Sequence, residues 1–289
     1  VLSKHLQDKL RAMGRGALGD AVHTADALNN ATARPQQAGA RPRIRGLDEL
    51  VRGQIVEGAG GTCYAIHKTL DEFWPQADDF VRRYLEVVAG GRARIAAGRL
   101  DALLYGLTQK AADGALYFDI ETCGFAGTPV FLIGAMRLHD GRMCLQQFLA
   151  RDYGEEAAIL HQFAGLLDGV HTLVSFNGKS FDWPFVADRA VLHRLSLPAR
   201  PHLDLLHQAR RSWRTILPDH RLQTLEVFLC NRRRTGDIPG AEIPAAYHDF
   251  VRTGHATQIR DILQHNLLDL VTLAELVTFL LADDFPIPT

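Results

Sequence analysis

Cysteine is scarce: Cys63, Cys123, Cys144 and Cys230 are all the chain has, with no CxxC pair and no histidine at zinc-site spacing. That argues against a disulfide framework or a structural zinc, and reads as buried free thiols in a reducing compartment. Long apolar runs are lacking as well, none approaching the ~18 uninterrupted residues expected of a membrane span. No basic-then-apolar leader opens the sequence, so a cytoplasmic protein without a membrane partner is expected. No GxGxxG follows a strand-like segment, which argues against dinucleotide binding. Net charge is almost nil, −1 over 289 residues, and the total alone gives no reason to expect a polyanionic partner.

The distribution of charge says more. Residues 1–113 hold 16 basic and 13 acidic side chains, and residues 114–289 hold 16 and 20. Eight of the later basic residues fall between Arg200 and Arg234, and a nearly neutral protein can still carry one strongly positive surface. A hydrophobic content of 47% with 22% charged residues is that of an ordinary globular chain with a sizeable core.

Leu2, Leu6, Leu10 and Met13 sit at helical spacing. Residues 14–46, rich in Gly, Ala, Asn, Pro and Arg, read as a linker, so 1–46 is expected to be a flexible N-terminal segment. Residues 47–113 read as a small α+β lead-in: a helical turn at Leu47–Leu50, a hairpin of Gln54–Val56 with Thr62–Lys68, then helices at Phe80–Val88 and Ala93–Leu107. From 114 to 289 the pattern is α/β. Strands are expected at Leu116–Thr122, Val130–Leu138 and Met143–Leu149, with Asp140-Gly141 as a hairpin turn. A helix over Glu155–Leu167, a strand at Thr172–Phe176, helix, strand and helix to Leu206, and a long helix at Ile259–Leu281 follow. That order predicts a mixed sheet with helices on both faces.

The chemistry centres on LYFDIET. Asp119 and Glu121 lie two apart in an apolar strand and therefore share a face. Such carboxylates repel and lose hydration unless a hard divalent cation joins them or the strand end is solvated. A second acid, Asp182, follows a strand and the Asn177-Gly178 turn, where ligands gather in α/β sheets and where an aspartate also caps a helix. Asn177 and Lys179 are candidates for phosphate contact or simply good turn residues. A third element is HNLLDL, in which His265 and Asp269 share a helix face, with Asp261 one turn earlier. In PHLDLL, His202 and Asp204 read as a packed strand end. Arg210, Arg211 and Arg214 surround Trp213, with Arg221, Arg232, Arg233 and Arg234 beyond. They read either as a path for a single strand, with Trp213 stacking on a base, or as a solvated face over a core tryptophan. The strand path is the expectation.

The series Asp-x-Glu, Asp and His-x-x-x-Asp resembles the DEDD exonuclease group of the RNase H-like superfamily. SFNGKSFDWPF, PHLDLLHQARRSWRTILPDHRLQTLE, DIPGAEIPAAYHDFVRTG and HNLLDLVTL are similar to its YprB-type branch, over Leu116 to Leu281. The resemblance implies an RNase H-like mixed five-stranded sheet flanked by helices and a 3′-to-5′ exonuclease acting on single-stranded DNA or RNA ends. It further implies two divalent ions, Mg²⁺ or Mn²⁺, held by Asp119, Glu121, Asp182 and Asp269, with His265, neutral near pH 7, taking a proton from the attacking water. Thr122, Asn177, Lys179, Arg210, Arg211, Trp213 and Arg214 are the candidate substrate contacts. Histidine-type members usually space His and Asp one residue wider, so the tyrosine-type register is expected here. A structure-selective endonuclease and a non-catalytic nucleic-acid-binding module are the competing readings.

Overall fold

Seven strands form one sheet among the described residues of the computed structural model, which are 45–98, 102–108, 112–215 and 217–282. The expected helix of residues 1–13 and nearly all of the expected linker lie outside them. The strands are β1 (Gln54–Gly58), β2 (Gly61–Thr69), β3 (Ala115–Thr122), β4 (Val130–His139), β5 (Arg142–Leu149), β6 (Thr172–Ser175) and β7 (His202–Asp204), in spatial order β1-β2-β5-β4-β3-β6-β7. The main helices are α1 (Ala77–Ala96), α2 (Glu156–Leu166), α3 (Asp182–Leu192), α4 (Leu205–Trp213), α5 (Leu222–Phe228), α6 (Ile243–Thr253) and α7 (Thr257–Leu281).

β3 lies inside the sheet, between β4 and β6, because its sequence can be buried on both faces. Ala115, Leu116, Tyr117 and Phe118 are each at most 2% exposed. β4 pairs with it antiparallel and β6 parallel, and β7 runs parallel to β6. Asp140 and Gly141 both take positive φ in the β4–β5 turn, the conformation a two-residue hairpin requires. The expected five-stranded sheet is corrected to seven. The β1–β2 hairpin pairs along β5 from Tyr64 opposite Leu149 to Thr69 opposite Cys144, covering backbone groups that would otherwise form an open edge. A second correction concerns the helix expected over Ala93–Leu107. α1 ends at Ala96, Gly98 turns the chain with a φ of +72°, and Ala102–Leu104 is a separate 3₁₀ turn.

Two apolar clusters sandwich the sheet. One gathers α1, α4, α5 and the later turns of α7 around Tyr117, Met136 and Val174. The other gathers α2, α3, α6 and the first turns of α7 around Leu116, Phe118 and Ile133. α7 is long and apolar enough to cross a membrane, but 83% of that stretch is buried inside the protein, as befits a core helix. Ile259, Ile262 and Leu263 belong to one cluster and Leu267 onward to the other. His265 and Asn266 fall at the changeover, beside the inner face of β3.

Candidate functional site

Period-two alternation puts Asp119 and Glu121 on the face of β3 that carries Tyr117, while Phe118 and Ile120 fill the other side. The β3–β6 pairing ends at Tyr117 opposite Val174, so the two acids run on beyond β6. The chain leaving β6 turns there and delivers Asp182 at the first position of α3. That turn is held by Asp204, whose Oδ1 accepts from the Asn177 and Leu206 N–H groups at 2.8 and 3.0 Å, and whose Oδ2 accepts from the Lys179 N–H at 3.2 Å. A Cβ at Gly178 would stand 2.2 Å from Ser175 Oγ and 2.7 Å from Asp182 Oδ2, so only glycine lets the turn close this tightly. Asp204 is thus a buried clamp, in keeping with its reading as a packed strand end. His202 lies 2.7 Å from Ser175 Oγ, with its pKa lowered to about 4 chiefly by burial.

Asp119 is held from α7. Asn266 Nδ2 donates to Asp119 Oδ2 at 2.9 Å and to its backbone oxygen at 3.2 Å. Gln147 Nε2 in turn donates to Asn266 Oδ1 and to the Leu263 carbonyl, both at 2.8 Å. The second bond fixes which end of the Asn266 amide faces the acid, because Asn266 Oδ1 must accept.

Burial drives the pKa of Asp119 well up, and Asp269 and Asp182 push it further while His265 and Asn266 oppose. Glu121 is likewise raised by burial and then by Asp119, Asp269, Asp182 and Asp237. Asp182 is raised to about 7 by burial first, with Asp204 and Asp269 adding to it against its backbone hydrogen bonds. The acids from β3, α3 and α7 therefore lie within electrostatic reach of one another, and ionising all of them without a cation is unfavourable. Asp261 is elsewhere, paired with its neighbour Arg260 at 2.8 Å.

Asp269 is bonded by Arg234. That guanidinium also donates through Nε to Glu226 Oε2 at 2.7 Å and through Nη1 to Asp237 Oδ2 at 3.3 Å. His265 Nδ1 lies 2.9 Å from Asp237 Oδ1, and Nε2 lies 3.6 Å from Asp269 Oδ2. Burial works against protonating His265, but the hydrogen bond to Asp237 and the charges of Asp269 and Asp237 outweigh it, and its pKa is raised.

Among the described residues, no group of three or more His, Cys, Asp or Glu side chains is already set to hold a metal ion. The donor chemistry nonetheless fits a hard divalent cation: carboxylate oxygens on converging elements, three of them raised by burial and by one another. Asp119, Glu121, Asp182 and Asp269 are the residues that would hold it.

The expected substrate contacts divide. Asn177 and Lys179 are exposed on the turn beside Asp182, and Arg210, Arg211 and Arg214 are exposed on and after α4. Trp213 is corrected: at 0% exposure it is core, and no base can reach its ring. Arg232 is also fully buried, bonded to Glu226, Thr272 and Glu275. Thr122 is buried, with its hydroxyl donating to the Gly124 carbonyl at 2.8 Å within its own loop. Sequence reasoning missed Asn266, Gln147 and Asp237, whose partners come from distant segments, and it read Arg234 into the strand path, whereas that side chain is buried and paired with Glu226, Asp237 and Asp269. Phe125, which the sequence reading did not single out, is 93% exposed on the loop after β3.

Residues 116–281 match the family model described as RNase_H superfamily. "Uncharacterized protein YprB" of Bacillus subtilis (strain 168) is 37% identical over 166 residues, 55% of this chain. The matched segment spans 40% of that relative's length. The family B DNA polymerase from the hyperthermophilic archaeon Pyrobaculum calidifontis is 19% identical over 56% of this chain and 24% of the polymerase, with a TM-score of 0.43. With β3 inside the sheet, helices on both faces and the family match running from Leu116 to Leu281, the chain belongs to the RNase H superfamily, in its YprB-type, RNase H-like family.

Proposed function

We propose that the protein is a metal-dependent nuclease that removes nucleotides from the 3′ end of single-stranded nucleic acid. The observation that carries this reading is the convergence of acids from β3, α3 and α7: burial raises the pKa of Asp119, Glu121 and Asp182, and Asp269 is among the further causes for each. Membership of the RNase H superfamily supports phosphodiester hydrolysis, and resemblance to the DEDD group supports the 3′-to-5′ direction.

Asp119, Glu121, Asp182 and Asp269 would hold two divalent ions, Mg²⁺ or Mn²⁺, which when bound supply an acidified water and offset the charge growing on the phosphate. Asn266 orients the Asp119 carboxylate by donating to its Oδ2. Asp204 keeps the β6–α3 turn in place, so Asp182 stays at the start of α3. His265 presents Nε2 on the edge nearest Asp269, where it accepts a proton from the attacking water. Phe125 offers an exposed ring for stacking on an unpaired base, and Lys179, Arg210, Arg211 and Arg214 offer charge to the phosphates.

The test is a set of matched DNA and RNA oligonucleotides, each labelled at either end, incubated with Mg²⁺ or Mn²⁺. A ladder shortening from the 3′ end is expected. A single internal cut would favour a structure-selective endonuclease, and retention without cleavage would favour a binding module.

A further inference from the structure

Asp237, in the loop between α5 and α6, contacts the proposed base and has no part in the scheme above. Its Oδ1 lies 2.9 Å from His265 Nδ1, and the two side chains are 12% and 13% exposed. The other oxygen accepts from Arg234 Nη1 at 3.3 Å. Arg234 is itself pinned by Glu226 Oε2 at 2.7 Å, and Glu226 by Arg232 at 3.0 Å. The carboxylate is therefore fixed from behind by buried ion pairs before it meets the imidazole.

A neutral imidazole carries one N–H, and its place is set by the partner of the other nitrogen. Arg234 Nη1 also stands 3.4 Å from Nδ1, but it donates to Asp237 Oδ2 and the carboxylate contact is the shorter. A carboxylate accepts only, so that bond requires the proton on Nδ1 and leaves the lone pair on Nε2. That nitrogen is on the Asp269 side, 3.6 Å from Oδ2. His265 and Asp269 are one helical turn apart on α7, which brings them together without fixing the rotation of the ring.

We propose that Asp237 is a positioning residue that holds His265 in the Nδ1–H tautomer with Nε2 turned to the carboxylate site. The proposal rests on the reading of His265 as the base. A loop carboxylate thus supplies the orientation that the helix does not.

The test joins a double-mutant cycle to a measurement that needs no activity. Asp237→Ala should lower kcat about tenfold or more, with KM and Mn²⁺ affinity near native values. In the His265→Ala background the same substitution should change kcat less than about twofold. Asp237→Asn should not recover the loss, because Arg234 Nη1 at 3.3 Å claims its one amide oxygen and an amide NH2 turned to Nδ1 selects the Nε2–H tautomer. An equal loss in both backgrounds, or loss of Mn²⁺ binding in Asp237→Ala, overturns the proposal. Nitrogen-15 spectra of the metal-free protein at about pH 9 report the tautomer directly, the His265 signal being the one missing from His265→Ala. The Nδ1–H form is expected, and an Nε2–H form in the native protein overturns the proposal. Absence of cleavage by the native protein would instead sink the nuclease reading and leave the tautomer result standing.

Discussion

Asp119 on β3 and Gly134 on β4 face one another across the antiparallel ladder, and a Cβ on Gly134 would stand 2.0 Å from Asn266 Oδ1. The glycine thus makes the space in which α7 reaches Asp119. Gly134→Ala must push Asn266 away or move the helix, a form of overpacking that costs about 1–3 kcal/mol. A lower Tm and weaker cleavage are expected together. Native-like Tm and turnover in this variant would show that Asn266 does not need that space.

The carboxylate site should be a local weakness when no cation is present. Asp119 has its pKa raised well above the ordinary value, by burial and then by Asp269 and Asp182. A raised acid contributes stability only while protonated, and that contribution is lost as pH rises through the folded pKa. At neutral pH without metal, Asp119→Asn should therefore melt at a higher temperature than the native protein. Adding Mn²⁺ should raise the native Tm by mass action and leave the variant nearly unmoved. A variant that melts lower than native without metal, or that keeps the full Mn²⁺ shift, counts against the site.

Much of this site was legible in the sequence because the signals were local. LYFDIET is apolar enough to be a buried strand, and its two acids share a face by period alone. Asp182 was legible through Asn177-Gly178, a turn that could lie only between strand and helix. Asp237 was not, because nothing near it in the chain announces that this loop residue has His265 of α7 as its partner. Arg232 and Trp213 misled for the same reason. Charge and aromaticity are visible in a sequence, but the burial of Glu226 and Glu275 beside Arg232 is a property of the fold. The β1–β2 hairpin was visible as a hairpin, but its pairing with β5 was not, since a lone hairpin does not specify which edge it joins.

A second pH effect lies away from the site. Glu156, at 2% exposure, accepts from the Val130 N–H at 2.8 Å and from Arg189 Nε at 2.7 Å, and lies 2.9 Å from His193 Nε2. Burial raises its pKa, but the Arg189, His193 and Val130 contacts prevail and hold it below the usual value. A lowered acid contributes stability that is present above its unfolded pKa and is lost as pH falls through the folded one. Glu156→Gln, which leaves Arg189 without its counter-charge, should cost about 3 kcal/mol at neutral pH. The gap to native should close in acid. Chemical denaturation at a series of pH values measures it, and a gap constant down to about pH 3 would refute the assignment.

Arg210, Arg211 and Arg214 are exposed along one helix and its end. If they meet phosphates of a single strand, each contributes about 0.7 to the slope of log affinity against log salt. Replacing all three by glutamine should flatten that slope by roughly 2 and weaken binding at low salt most. An unchanged slope would make them a solvated face.

The two aromatic residues nearest the question give opposite expectations. Trp213 is wholly buried in the cluster with Leu205, Ala209 and Leu217, whereas Phe125 is 93% exposed on the loop that follows the Asp119–Glu121 strand. That loop is ordered by its own bonds, Thr128 donating through Oγ1 and its N–H to the Phe125 carbonyl at 2.9 and 3.1 Å, so the ring projects from a fixed support. Trp213→Phe removes core volume and should lower Tm while leaving KM for a single strand unchanged. Phe125→Ala removes nothing from the core and should leave Tm unchanged. Loss of one base stack costs about 1–3 kcal/mol, so its KM should rise between about fivefold and a hundredfold. Steady-state kinetics and melting of the two variants separate the roles, and a raised KM in Trp213→Phe with a native KM in Phe125→Ala would reverse them.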